Sequence, residues 1–238
     1  MRKILFLIIL LAPTMLLAQE TKAVTPKTDL PPDPPTAGEP KAIIHTTDGD
    51  IPCVLFKKQA PIAVANFIGL ATGTKEWTNP ITNAKKIHTP LYDGTIFHRV
   101  IPGFMIQGGD PAGNGSGNPG YAFRNEYSDL HFDRPGRMGM ANSGPNTNGS
   151  QFFITDAATG WLDGNYTIFG QCDAPALVSK IANMPRDTSE GPRKDRPFHP
   201  VRITHVQIVE PGAAPAHKPT PHTATRRASP AKKPVPKK

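Results

Sequence analysis

Eight short apolar runs, separated by glycine, proline and asparagine, constrain the fold of this chain more than any other feature. They lie at 41–46, 51–56, 95–100, 104–107, 136–140, 151–155, 166–172 and 201–209. Runs of this length between turn residues are typical of β-strands, and Asp48-Gly49 predicts a hairpin between the first two. Alternation in the last run predicts one shared face, made of Val201, Ile203, His205, Gln207 and Val209.

Two helices are predicted among these strands, at 61–71 and 175–183. Pro61 and Pro175 suit a first helical turn, Asp173 is a candidate cap of the second helix, and Gly73 can close the first. The polar stretch 74–90 is expected to be an exposed loop. Because strands and helices do not alternate along the chain, the predicted fold class is mainly β, a closed antiparallel barrel and not a parallel α/β sheet.

Both ends of the chain differ in composition from this region. Residues 1–18 are basic and then apolar over fewer than the roughly 20 residues of a membrane span, so they predict a secretory signal cleaved near Ala18. The alternative is an uncleaved inner-membrane anchor. Proline-rich residues 19–40 predict an extended linker, and residues 211–238 a disordered tail rich in Pro, Ala and Lys. The globular domain is therefore assigned to 41–210.

The excess positive charge of the chain lies in its ends. The sequence has 27 Lys and Arg against 19 Asp and Glu, but the signal and the tail hold nine of the basic residues and none of the acidic ones. The domain itself is therefore near neutral, and the high pI does not indicate a nucleic-acid partner. The basic tail is either a solvated extension or an electrostatic tether to an anionic surface of the cell envelope.

Cys53 and Cys172 are the two cysteines of the chain. Export to an oxidising compartment would permit a disulfide between them. Their apolar, strand-like contexts nevertheless favour two separate small residues of the core. The eight histidines lack metal-ligand spacing, so no metal is expected.

Two segments, Phe97 to Asp110 and Met140 to Phe153, carry the candidate site. They place Arg99, Gln107 and Asn142 among large apolar side chains and turn residues. They contain no nucleophile with its base, no paired carboxylates and no metal-ligand spacing. A nearby G-x-G-x-x-G pattern at 115–120 is interrupted by a proline and has no βαβ context, so it does not indicate dinucleotide binding. The pattern therefore predicts a site that grips a peptide and acts on it without covalent chemistry.

The chain resembles the cyclophilin-type peptidyl-prolyl cis-trans isomerases, in particular the exported bacterial kind. The resemblance covers about Lys41 to Glu210. It rests on LYDGTIFHRVIPGFMIQGGDP, then MANSGPNTNGSQFFIT, then WLDGNYTIFGQC. It implies an eight-stranded antiparallel barrel with a helix over each open end and a binding groove on the outer face. It also implies a monomer that needs no cofactor.

The resemblance assigns roles residue by residue. Arg99 matches the catalytic arginine, Gln107 the glutamine beside it, and Asn142 the asparagine whose backbone pairs with the substrate. The matches to the apolar proline pocket are Phe104, Met105, Phe153 and Leu162, with Phe104 also counted among the catalytic residues. Further groove positions are Ala141, Ser143, Gln151 and Trp161, the last matching the tryptophan that contacts cyclosporin. Tyr166 stands where many members have a histidine, and Ser143 replaces a frequent alanine.

These residue types suit rotation about an X-Pro bond. The peptide bond resists rotation with a barrier of roughly 18–20 kcal/mol. A permanently charged guanidinium in a water-excluded groove can stabilise the twisted amide. The predicted function is therefore a peptidyl-prolyl isomerase that acts on unfolded exported proteins in the periplasm or outside the cell, and that binds cyclosporin-type inhibitors. The alternative is a proline-binding module or holdase chaperone whose turnover is incidental.

Overall fold

The computed structural model describes residues 32–34 and 36–212. The predicted signal, most of the predicted linker and all but the first two residues of the predicted tail lie outside the described residues. Among those that are described, no helix is long and apolar enough to span a membrane.

Short strands and two helices make up the described region. The strands are β1 (Lys41–Thr46), β2 (Gly49–Leu55), β3 (Trp77–Thr78), β4 (Lys85–Lys86), β5 (Arg99–Ile101), β6 (Met105–Gly108), β7 (Arg137–Met140), β8 (Phe152–Thr155), β9 (Ile168–Cys172) and β10 (Ile203–Val209). The helices are α1 (Pro61–Thr72) and α2 (Pro175–Ala182), and a 3-10 turn covers Gly160–Leu162. The predicted strand and helix positions are confirmed to within a few residues.

Eight strands form one antiparallel sheet in the order β10-β1-β2-β9-β7-β8-β6-β5. The two outer strands of this order meet where Ile96 forms an isolated bridge with Arg202. Beside the bridge, the Phe97 N–H donates to the Val201 carbonyl over 3.0 Å. The sheet thus curls into a barrel whose seam is joined by short contacts instead of a full ladder, and the predicted mainly β, eight-stranded architecture is confirmed.

Alternate side chains of the strands fill the barrel. Val100, Ile106, Met138 and Ile154 lie on four neighbouring strands, are fully buried and belong to the main hydrophobic core. Apolar side chains of both helices, including Phe67 and Ile181 and their neighbours, pack into the same core. Because the interior is filled, any binding site of this barrel must lie on its outer face or at its rim.

The helix ends agree only in part with their predicted caps. Helix α1 begins at Pro61 and is closed by Gly73 at φ 74°, both as predicted. The Glu126 carboxylate, distant in sequence, accepts hydrogen bonds from its first-turn N–H groups. The predicted cap of α2 is wrong: Ala174 occupies that position without a side-chain hydrogen bond, and Asp173 does not cap the helix.

Two other local predictions need correction. The stretch 74–90 contains the hairpin of β3 and β4, and Trp77 within it is buried and donates its ring N–H to the Thr89 carbonyl. In β10 the buried residues are Ile203 and Val206, while His205 is exposed. A bulge opposite His45 adds one residue to β10, and the extra residue reverses which side chains face the core.

The expectation of two separate cysteines is wrong. Cys53 and Cys172 form a disulfide. They lie directly opposite each other on the antiparallel strands β2 and β9, with their Cα atoms 3.9 Å apart. The predicted apolar contexts are present, since both residues are nearly inaccessible, but strand register brings the two sulfur atoms together.

The described part of the predicted linker contacts the domain. The Asp33 carboxylate accepts a hydrogen bond of 2.5 Å from Arg137 and lies 3.4 Å from Arg134. The Arg137 guanidinium is buried and also pairs with Asp133. Burial would raise the pKa of Asp133, but hydrogen bonds from Arg134 and Arg137 outweigh it and lower that pKa. This ion cluster attaches the last part of the linker to the start of β7.

Candidate active site

Strand register places one row of residues across the outer face of the barrel. Arg99 on β5 lies opposite Gln107 on β6, and Gln107 lies opposite Phe153 on β8. Phe153 in turn lies opposite Gly139 on β7. Directly opposite residues of antiparallel strands project from the same face. A charge, an amide and an aromatic ring therefore lie side by side on the outer face of the barrel, away from the core.

An apolar pocket lies beside this row. Its volume is about 110 Å³, well below the roughly 300–1,000 Å³ of sites for drug-sized ligands, so it suits a single small ring. It is lined by Arg99, Phe104, Met105, Gln107, Ala141, Asn142, Phe153, Leu162 and Tyr166. Met105, Phe153 and Leu162 are buried in a hydrophobic cluster separate from the barrel core.

The Phe153 ring forms one wall of the pocket and is held by two other rings. Phe132 packs nearly parallel to it with centroids 5.5 Å apart, and Tyr166 meets it edge-on at 5.6 Å. At the rim, Trp161 is 66% exposed and contacts Phe104 with centroids 5.7 Å apart. The pocket thus has rigid aromatic walls and an exposed indole at its edge.

A chain of amides orients the arginine. Gln151 donates from Nε2 to the carbonyls of Gly115 and Gly117, over 3.0 and 2.8 Å. Its Oε1 accepts a 2.9 Å hydrogen bond from Gln107 Nε2. Gln107 Oε1 is thereby turned towards Arg99, whose Nη1 donates to it over 3.5 Å. The two glutamines therefore connect the arginine to the backbone of a neighbouring loop.

That loop is built around one buried carboxylate. Asp110 accepts hydrogen bonds from the backbone N–H groups of Ala112, Asn114 and Gly115. A Cβ at Gly117 would lie 1.9 Å from Asp110 Oδ1, so only glycine fits there. The glycines of the G-x-G-x-x-G pattern thus serve loop packing. They line a polar groove of about 480 Å³.

This polar groove continues from the apolar pocket. The two cavities share Gln107, Ala141 and Asn142, and Ser143 and Gln151 line the groove. A peptide whose proline fills the pocket can therefore extend its neighbouring residues along the groove.

A carboxylate that the sequence does not predict lies beside Arg99. Asp195 Oδ2 is 3.7 Å from Arg99 Nε, and its Oδ1 is 3.4 Å from Arg186 Nε. Asp195 belongs to the long segment before β10, where several acidic residues occur, and no local pattern distinguishes it from the others. The Arg99 side chain is 41% exposed and that of Asp195 14%.

The residue before the arginine is a buried histidine. Burial lowers the pKa of His98 below its usual 6.5, and the positive charges of Arg196 and Arg99 act in the same direction. Asp110 opposes this shift without reversing it. His98 is therefore neutral at pH 7 and adds no second positive charge beside Arg99.

The structure brings all twelve predicted site residues to one face. Nine line the apolar pocket, Ser143 and Gln151 lie in the adjoining groove, and Trp161 stands at the rim. Besides Asp195, two supporting residues were not predicted from the sequence: Phe132, which supports the Phe153 ring from behind, and Gly139, which leaves room for it.

Comparisons with known proteins give the same family. Residues 41–208 match the family described as cyclophilin type peptidyl-prolyl cis-trans isomerase/CLD. The chain is 50% identical over 168 residues to peptidyl-prolyl cis-trans isomerase B of Streptomyces anulatus, a match that covers 70% of this chain and 95% of that protein. It is 47% identical over 168 residues to a probable peptidyl-prolyl cis-trans isomerase A of Mycobacterium leprae, covering 70% and 91%.

Solved structures agree. A cyclophilin type peptidyl-prolyl cis-trans isomerase of Cryptosporidium parvum superposes with a TM-score of 0.60 at 35% identity, covering 72% of this chain and 98% of the other. The same protein, crystallised in the presence of the dipeptide Ala-Pro, gives the same TM-score and identity over 71% and 99%. With these matches over most of its length, the chain belongs to the cyclophilin-type peptidyl-prolyl cis-trans isomerase family.

Proposed function

We propose that this protein accelerates rotation about X-Pro bonds with the proline ring in the pocket between Phe104 and Phe153. The observation that carries the proposal is the Arg99 guanidinium, held by Gln107 at the edge of an apolar pocket of single-ring size. Arg99, Gln107 and Phe104 are the proposed catalytic residues, and the other lining residues bind the peptide.

Rotation about an amide removes the delocalisation of the nitrogen lone pair and concentrates charge on the nitrogen. A guanidinium with five donors can hydrogen-bond that nitrogen or the displaced carbonyl oxygen. Met105, Phe153 and Leu162 exclude water, which would otherwise stabilise the planar amide and weaken the field of the arginine. A barrier reduction of about 7 kcal/mol corresponds to a rate factor on the order of 10⁵.

Substitution of Arg99 tests this mechanism. Removing one preorganised donor from an enzyme site typically costs about 10²–10³ in rate, and we expect Arg99→Ala to lose activity to that extent on an Ala-Pro tetrapeptide. Arg124→Ala, which removes an exposed arginine outside the pocket, should keep the wild-type rate. Equal rates for wild type and Arg99→Ala would refute the catalytic role of Arg99, and a wild type without turnover would favour a proline-binding module or holdase.

We further propose that the protein acts on exported proteins in the periplasm. The predicted signal at 1–18 supports this, as does the disulfide, because disulfides persist in oxidising compartments. The mass of the mature N-terminus distinguishes cleavage near Ala18 from an uncleaved anchor. Recovery of the protein only from the cytoplasmic fraction would contradict the proposal.

We propose that the domain is monomeric. We also propose that the basic tail makes electrostatic contact with the anionic envelope. Residues 213–238 carry seven basic and no acidic residues, and each positive charge near an anionic membrane contributes about 1 kcal/mol. Sedimentation with vesicles containing phosphatidylglycerol should require the tail and should disappear at high salt. Equal sedimentation of a chain ending at residue 212 would show that the tail is only a solvated extension.

A further inference from the structure

The catalytic arginine needs more support than its glutamine provides. Arg99 is 41% exposed on its side chain, and the hydrogen bond to Gln107 is long at 3.5 Å. An arginine side chain has many rotamers, and a single long hydrogen bond to a half-exposed guanidinium restricts them only in part. A second contact at the other end of the guanidinium would remove much of this freedom.

Asp195 is placed to provide that contact. The backbone carbonyl of Asp195 accepts a 2.9 Å hydrogen bond from the N–H of Val100, the residue after Arg99. The Asp195 N–H donates over 2.7 Å to the Asp187 carbonyl. These bonds fix Asp195 against strand β5. Its φ of 62° is in the left-handed region, which aspartate tolerates better than most residues.

The carboxylate itself is shared between two arginines. Oδ2 is 3.7 Å from Arg99 Nε and Oδ1 is 3.4 Å from Arg186 Nε. The nearby Lys194 forms its ion pair with Glu190, which offsets its charge, although that charge also acts on Asp195 and Arg99. The single negative charge of Asp195 faces the two positive charges of Arg99 and Arg186. These three residues together keep a net positive charge, so Arg99 is oriented without being fully neutralised.

We propose that Asp195 is a positioning residue that sets the orientation of Arg99 and thereby the rate of isomerisation. The Asp195 carboxylate attracts Nε as an ion pair at 3.7 Å, beyond hydrogen-bond distance, and Gln107 Oε1 accepts from Nη1. Within residues 32–34 and 36–212, nothing forms a hydrogen bond or ion pair with Nη2 of Arg99, which is left to donate to the substrate amide. This inference rests on the proposed function, because it matters only if Arg99 acts on the rotating bond.

Asp195→Asn is the sharpest substitution. Asparagine has nearly the same size and also tolerates a positive φ, so the backbone contacts to Val100 and Asp187 remain, and only the charge is lost. We expect kcat to fall by about threefold to tenfold while the peptide Kd changes less than twofold, because positioning for the transition state is lost and ground-state binding is not. Exchange spectroscopy on a proline peptide measures the rate, and titration measures Kd.

Asp187→Asn is the matched control. It makes the same change in the same segment, but the Asp187 carboxylate accepts from Ser189 and lies 3.8 Å from Arg193 Nε, with no contact to Arg99. It should keep the wild-type rate. A loss in Asp187→Asn equal to that in Asp195→Asn would show that any lost charge in this segment has the effect, and would overturn the proposal.

A double variant separates positioning from a general structural effect. If Asp195 acts through Arg99, then Asp195→Asn should change the residual rate of Arg99→Ala less than twofold, measured at high enzyme concentration. An equal loss in both backgrounds would refute the proposal. If wild type itself were inactive, the proposed function would fail instead, so the two failures are distinguishable.

NMR provides a measurement on the unmodified protein, in case the variant folds poorly. If Asp195 restrains the guanidinium from its 3.7 Å distance, the Nε–H bond of Arg99 should be ordered, with an order parameter S² above about 0.6, the upper limit for flexible groups. A value below about 0.6 would contradict the proposal.

Discussion

Gly139→Ala should impair catalysis by pushing the Phe153 ring into the proline pocket. A Cβ at position 139 would lie 2.5 Å from Phe153 Cζ and 3.1 Å from Phe132 Cε1, whereas ordinary contacts begin near 3.4 Å. The Phe153 ring must therefore retreat by roughly 1 Å. Phe132 packs along one side of it and Tyr166 meets it edge-on, so the open direction is the pocket of about 110 Å³.

The size of the effect follows from this displacement. A misplacement of about 1 Å in an active site can cost about 10²-fold in rate, and overpacking typically costs about 1–3 kcal/mol of stability. We therefore expect kcat/KM on an Ala-Pro peptide to fall by about tenfold to a hundredfold, with the protein still folded at 25 °C. The φ of Gly139 is outside the left-handed region, so the substitution introduces no backbone strain.

Gly160→Ala is the matched control, because a Cβ there meets nothing nearer than 3.9 Å. It should keep the wild-type kcat/KM on the same Ala-Pro peptide, measured for both variants in a protease-coupled assay. A Gly139→Ala enzyme with kcat/KM within twofold of wild type, and with an unmoved Phe153 ring in its structure, would refute the steric argument.

Three further predictions concern the rest of the domain. Replacing both Cys53 and Cys172 by alanine opens a loop of sequence separation 119. The free energy of unfolding should fall by up to about 5 kcal/mol, and Tm by about 10–20 °C. An unchanged thermal unfolding curve would contradict this. Because the folded pKa of His98 is lowered from 6.5, the unfolded chain takes up the proton first, so the free energy of unfolding should fall as the pH drops below about 6.5. Urea titrations at pH 7.5 and 5.5 should show this fall, and His98→Gln should reduce it. Trp161 is exposed at the rim against Phe104 and should anchor cyclosporin. Trp161→Ala should weaken cyclosporin binding at least tenfold, measured by calorimetry. Equal affinities of the two proteins would disprove this expectation.

Local patterns were sufficient to predict most of the fold. Turn residues bound the strands, prolines begin both helices, and Gly73 ends the first, because each of these features acts over a few residues of chain. The error in the predicted facing of β10 also involves only one residue of chain. Strict alternation predicted that His205 faces inward, but one bulged residue reverses the faces, and the bulge forms against His45 on a strand about 160 residues away. Alternation along one strand contains no information about its partner.

Contacts set by register between distant strands could not be predicted in this way. The apolar contexts of Cys53 and Cys172 are real, yet the sulfur atoms meet because β2 and β9 pair with those two residues opposite each other. Asp195 is a harder case. It contacts Arg99 through a left-handed turn in a segment with other acidic residues, and its partner lies 96 positions earlier in the chain. Only the folded arrangement distinguishes it from Asp187.

The same register explains how a site without reactive groups can act as a catalyst. Arg99, Gln107 and Phe153 lie on three adjacent strands at one level, so their spacing is set by the hydrogen-bond ladder of a barrel whose interior is packed. A rigid scaffold of this kind keeps a charge and an apolar wall in place before the substrate arrives. Rotation about an amide requires neither a nucleophile nor a base, only a fixed field that favours the twisted state. The hydrogen-bond ladder does not by itself set the orientation of the Arg99 guanidinium. That orientation depends on side chains outside the ladder, such as Gln151 and Asp195.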